Sequence, residues 1–269
     1  MSMQWMSRRR FTLTCFEVAH SFRAECHTFP INPSRKITLD NETVRNILLA
    51  LPVLLFSVVA HEYAHGYAAL KQGDATAYQL GRLTWNPAKH IDPFLTILMP
   101  LMLGIASGGR LILGGAKPVP VNPRNYRNYK RGDIIVSLAG VAVNLVIALA
   151  CTLLIAILGM LGDWMPGGVR TLAILQEMMI SGVIINLGLI GFNLLPIPPL
   201  DGSHVFKYLL PPAWALRYQQ IGSYGMLLLI LVLVVGRPLL NIWMAPVYGL
   251  AQILLGSVNG FILPSPWAF

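Results

Sequence analysis

Apolar residues run almost unbroken from 47 to 70, enough for a helix to cross a bilayer, which needs about 20. Further apolar runs occupy 134–161 and 172–195, and two shorter ones, 221–236 and 239–255, close the chain. Gly236-Arg237-Pro238 separates the last two, whose shortness calls for tilt or local bilayer thinning. Residues 94–115 are also apolar, but Pro100, Gly104, Gly108, Gly109, Gly114 and Gly115 interrupt them, so they read either as a full span or as a re-entrant segment. Between the turn signals Gly73-Asp74 and Asn86-Pro87, Thr76 to Trp85 mixes β-formers with Gly81. That stretch is either a short bent hairpin, whose edge could receive an extended peptide, or a simple connecting loop. The pattern predicts an all-α polytopic membrane protein of about five to six transmembrane or re-entrant helices, with a short β-hairpin-like loop after the first.

Composition agrees. Of 269 residues, 55% are hydrophobic and 12% charged, about half the charge of a soluble domain. The net charge of +9 comes from basic residues in the N-terminal tail and between apolar runs. That placement suits lipid headgroups and topology rather than nucleic acid. Residues 1–40, with Arg8, Arg9, Arg10, Arg23, Arg35 and Lys36, are expected to form a poorly ordered basic tail, and 41–269 the membrane-embedded domain. Arg124, Arg127, Lys130 and Arg131, with Lys117 before them, mark the loop ahead of 134 as cytoplasmic. Cys15, Cys26 and Cys151 form no C-x-x-C pair, and Cys15, His20, Cys26 and His27 match no standard metal spacing.

Three ionisable side chains, His61, Glu62 and His65, lie within the first apolar run, where such groups are costly and mark function. Residues four apart share a helix face, so the two imidazoles can hold one metal ion. Glu62 lies about 100° round the helix from His61, placed to act on water as a general base rather than as a ligand. A third ligand must come from elsewhere. In Asn193-Leu-Leu-Pro-Ile-Pro-Pro-Leu-Asp201-Gly-Ser-His204, three prolines in four positions forbid regular helix. Such backbone is tolerated at membrane depth only against protein or a wet cavity, which makes Asp201 a credible ligand. His204 competes with it. His90 reads as interfacial, and Glu177 as a cap or part of a water path.

His61-Glu62-x-x-His65, Gly115-Ala-Lys-Pro-Val-Pro-Val121 and Asn193-x-x-Pro-x-Pro-x-x-Asp201-Gly202, in that order, resemble the site-2 proteases, the intramembrane zinc metalloproteases. The likeness spans roughly residues 46 to 205 and is closest to short prokaryotic members without an obvious PDZ or CBS domain. It implies that His61, His65 and Asp201 bind one zinc ion, that Glu62 activates water, and that Asn193 assists at the scissile carbonyl. It further implies hydrolysis of membrane-anchored protein substrates in the cell membrane. Ala139-Gly140-Val-Ala-Val-Asn144 is similar to the family's Ala-Gly-Pro-x-x-Asn stretch, with Val141 for proline, and Gly115 stands where the family often has Trp. The alternative is a membrane metal-ion transporter, or a metal-binding membrane protein without protease activity. For His61 and Asp201 to meet, 94–115 is expected to be re-entrant, placing the site near the cytoplasmic side. Neither the substrate nor the oligomeric state can be read from the chain.

Overall fold

A computed structural model describes residues 41–98, 100–102, 105 and 116–267. The tail 1–40, and with it Cys15, His20, Cys26 and His27, lies outside these. The long elements are helices: α1 (Asn41–Gln72), α3 (Tyr129–Trp164), α4 (Val169–Asn193) and α8 (Arg237–Ser257). Shorter ones are α2 (Thr76–Gln79), α5 (Asp201–Phe206), α6 (Pro212–Ile221) and α7 (Gly225–Val234). No strand occurs among the described residues. The protein is an all-α membrane protein. Among the described residues, four helices are long and apolar enough to cross a bilayer, within 44–72, 129–164, 166–193 and 238–257.

Two expectations change. Thr76 to Trp85 is not a hairpin but one helical turn followed by bends. Asp74 favours this, because its carboxylate accepts from both the amide and the hydroxyl of Thr76, a local side-chain turn that competes with strand pairing. The run 221–236 is not one α-helix: Ile221 closes α6, Gly222–Tyr224 is a 3-10 turn, and α7 supplies ten residues or about 15 Å, half of the hydrocarbon thickness.

Helices α1, α3 and α4 pack on one another, and α8 lies against α4. Ala148, Cys151 and Ile155 of α3 meet Val183 and Leu187 of α4 in a buried cluster that Val258 completes. Small and polar residues bring the helices close, as expected where lipid is no less apolar than the core. A Cβ on Gly182 would sit 2.7 Å from Cys151 Sγ. Asn186, fully buried, donates to Ser57 Oγ at 2.9 Å and ties α4 to α1. On the far side, buried Gln176 donates to the carbonyls of Ile155 and Phe261 and accepts from the Leu263 amide, holding the C-terminal stretch. Glu177 accepts from Trp267 Nε1 at 2.9 Å.

The end of α1 and the approach to α3 lie side by side, with Arg127 N–H donating to Gln72 O at 2.8 Å. Asp74 reinforces the junction by accepting from the Asn122 amide at 2.6 Å and the Asn125 side chain at 2.8 Å. The chain between these two points therefore starts and ends beside the same end of α1. Residues 99, 103–104 and 106–115 lie outside the described residues.

Candidate metal centre

His61 and His65 project from one face of α1 towards α3. His65 Nδ1 lies 2.7 Å from the Val136 carbonyl. A carbonyl only accepts, so Nδ1 carries the ring proton and the Nε2 lone pair is left free. His61 is buried, its Nδ1 3.2 Å from the side-chain amide of Asn144. Gly140, one helical turn before Asn144, leaves room for the ring, since a Cβ there would lie 2.4 Å from His61 Cε1. Gly140 by close approach and Asn144 by hydrogen bond thus serve the same imidazole.

Asp201 opens α5 directly after the proline-rich break. Its Oδ2 lies 3.2 Å from His61 Nε2 and 3.4 Å from His65 Nε2, and the two Nε2 atoms are 2.9 Å apart. Ligands about 2.0 Å from a tetrahedral ion stand about 3.3 Å from one another, so these three atoms fit around one zinc. Asp201 Oδ2 is sealed from solvent yet accepts no hydrogen bond. Two imidazoles and a carboxylate, with an unclaimed buried oxygen, are a donor set suited to zinc. Among the described residues this is the one group of three such side chains close enough to share an ion.

Two contacts hold Asp201 there. Gly202 packs against the end of α4, where a Cβ would lie 2.2 Å from Leu194 O. Farther along, Asp133 near the start of α3 is buried and receives the Lys207 ammonium, the Tyr208 hydroxyl at 2.9 Å and His204 Nδ1 at 3.3 Å. Burial and this carboxylate push the Tyr208 phenol above its ordinary range and keep it a donor. One face of α3 thus addresses every member of the group: Val136 holds His65, Gly140 and Asn144 hold His61, and Asp133 holds the segment after Asp201. Sequence reasoning missed Asp133 and Lys207. The signal was a lone acid, Asp133, at the end of an otherwise basic loop.

Glu62 does not enter the triangle. Its Oε2 accepts from the Val119 amide at 2.7 Å, so the 116–121 stretch meets the expected base at Val119. Asn193 is not brought into contact with the group; its Nδ2 donates to Leu189 O, one turn back in its own helix, at 3.0 Å. His204 is half exposed and belongs to Asp133 rather than to the ligand triangle. His90 is fully buried, with Nε2 2.9 Å from Thr84 O.

An all-helical membrane protein with a compact His–His–carboxylate group and a glutamate on the same helical turn falls in the class of membrane metalloproteins. The comparisons narrow this. The chain is 38% identical over 181 residues to a Bacillus subtilis protein named "Putative zinc metalloprotease YwhC", covering 67% of this chain and 78% of that one. It is 32% identical over 203 residues to "Putative zinc metalloprotease Rip2" of Mycolicibacterium smegmatis, covering 73% of this chain and 70% of the relative. No family model and no solved structure matches. The chain belongs to the site-2 protease family, its activity class is that of a zinc metalloprotease, and zinc is the cofactor.

Proposed function

We propose that this protein hydrolyses peptide bonds of membrane-anchored substrates within the bilayer, in a site-2-type reaction, with residues 41–269 forming one membrane-embedded domain. The observation that carries the reading is the convergence of His61, His65 and Asp201 ligand atoms within 3.4 Å of one another inside a membrane helix bundle. These three residues would hold the ion. Zinc there supplies a Lewis acid for a carbonyl and lowers the pKa of a water molecule to about 7. Val136 and Asn144 orient the two imidazoles; with Nε2 committed to the ion, His61 Nδ1–H meets the amide oxygen of Asn144, whose O and N exchange by a simple flip.

Glu62 takes a proton from the attacking water and returns it to the leaving amine. Asn193, turned away from Leu189 O, donates to the developing oxyanion. A substrate helix must unwind before its peptide bond is reachable, which favours Gly, Pro or Asn near the cut. The basic loop with Arg124, Arg127, Lys130 and Arg131, whose Arg127 amide meets the end of the His61–His65 helix, supports reading a multi-pass cell-membrane protein with a cytoplasmic-side site.

The test is to incubate purified wild type and Glu62→Gln with a panel of single-span fusion proteins, read by mass spectrometry, with zinc content measured in parallel. Cleavage by wild type, and full zinc without cleavage in the variant, is expected. Zinc transport into vesicles with no cleavage by wild type overturns the reading.

A further inference from the structure

We propose that Pro118-Val119-Pro120 is a positioning element for Glu62, its single N–H fixing one oxygen of the carboxylate. The inference rests on the reading of Glu62 as the base. Proline carries no N–H, so across these three residues the backbone offers one donor, Val119, and that donor goes to Glu62 Oε2 at 2.7 Å. Nothing else on this short arm competes for the carboxylate.

The arm itself is held at the polar backbone atoms on its N-terminal side. Lys117 N–H donates to His90 O at 2.9 Å. The Arg82 guanidinium donates to Lys117 O at 3.0 Å and to Pro118 O at 3.3 Å. His90, fully buried, is anchored in turn to Thr84 O. Val119 reaches α1 because Gly66, one turn beyond Glu62, has no side chain; a Cβ there would stand 3.0 Å from Val119 Cγ1. Prolines on both sides pre-set the extended backbone, so little freedom is lost in presenting the amide. One carboxylate oxygen is thereby held and the other is free to face water. Orientation of this kind is worth rate rather than substrate affinity, because a base slightly misplaced loses proton transfer without loosening the substrate.

The first experiment needs no catalysis. Hydrogen–deuterium exchange on the full chain, with fragmentation resolving 118–120, reads one amide. Exchange at Val119 is expected to quicken at least tenfold in Glu62→Ala and to stay slow in Glu62→Gln, whose amide oxygen still accepts. Unchanged exchange in Glu62→Ala overturns the proposal. The second uses Val119→Pro with the fusion-protein panel. Here kcat is expected to fall by about 10- to 100-fold, with KM and zinc content at wild-type values. Wild-type or raised kcat overturns the proposal. If Val119→Pro loses zinc through misfolding, Arg82→Gln replaces it, with the same split between kcat and KM expected. Failure of wild type to cleave, or cleavage by Glu62→Gln, sinks the reading of the base instead and is distinguishable from either result.

Discussion

The imidazole of His61 occupies the space that a side chain at position 140 would need: a Cβ on Gly140 would lie 2.4 Å from Cε1 and 2.6 Å from both ring nitrogens. No rotamer adjustment at 140 can relieve such a contact, because a Cβ has no freedom of its own. The smallest substitution therefore acts on the ring.

Gly140→Ala is expected to push His61 off the triangle while leaving α3 intact, since alanine is the better helix former. Zinc affinity falls by about 10- to 100-fold, the range seen when the support of a ligand is disturbed. Titration of the zinc-stripped protein with a competing chelator measures it, and wild-type affinity would count against the assignment of His61.

Asp133 and Lys207 form a buried ion pair that fastens the segment following Asp201 to α3. Asp133→Asn or Lys207→Met alone strands a buried charge, an effect of about 3–5 kcal/mol. The double variant removes both charges and is expected to recover most of the stability. A double-mutant cycle on detergent-solubilised protein, followed by thermal unfolding and zinc content, reads the coupling.

Asn193 donates to its own helix in this structure and must turn to serve an oxyanion. Asn193→Ala is expected to lower kcat by about 100-fold, as loss of one oxyanion donor does elsewhere, with zinc content unchanged. A kcat at the wild-type level removes Asn193 from the mechanism.

Asp74 gives a pH dependence outside the spans. Burial pushes its carboxyl up, but hydrogen bonds from the Asn122 amide, Thr76 and Asn125 outweigh burial and hold it below the usual carboxylate range. The folded state therefore favours the charged form more than the unfolded chain does. Its stabilisation is complete above the unfolded value, about 3.9, and is lost as pH falls through the folded value. Asp74→Asn is expected to lower the unfolding temperature at neutral pH, with the difference shrinking as acid protonates the wild-type carboxyl.

Several features were legible along the chain for local reasons. Four apolar spans follow from run length, and the shared face of His61 and His65 follows from spacing alone. The mix of β-formers and Gly81 over 76–85 leaves open whether that stretch forms a hairpin or simply connects; Asp74 decides for a helical turn by accepting from Thr76, two residues on. Asp201 and His204 are three residues apart, and spacing cannot choose between them. The choice falls to Asp133, 71 positions upstream of His204, whose carboxylate takes that imidazole and leaves Asp201 facing the histidines.

By itself the sequence determined the membrane helices, the paired imidazoles and the glutamate beside them, because hydrophobic run length and helical periodicity act between near neighbours. Only the tertiary structure decided that one face of α3 gathers the ligands and that a Pro-Val-Pro arm addresses Glu62. Those contacts join residues dozens of positions apart, and they exist only once glycines at 66, 140 and 202 let backbones and rings approach where a side chain would have kept them apart.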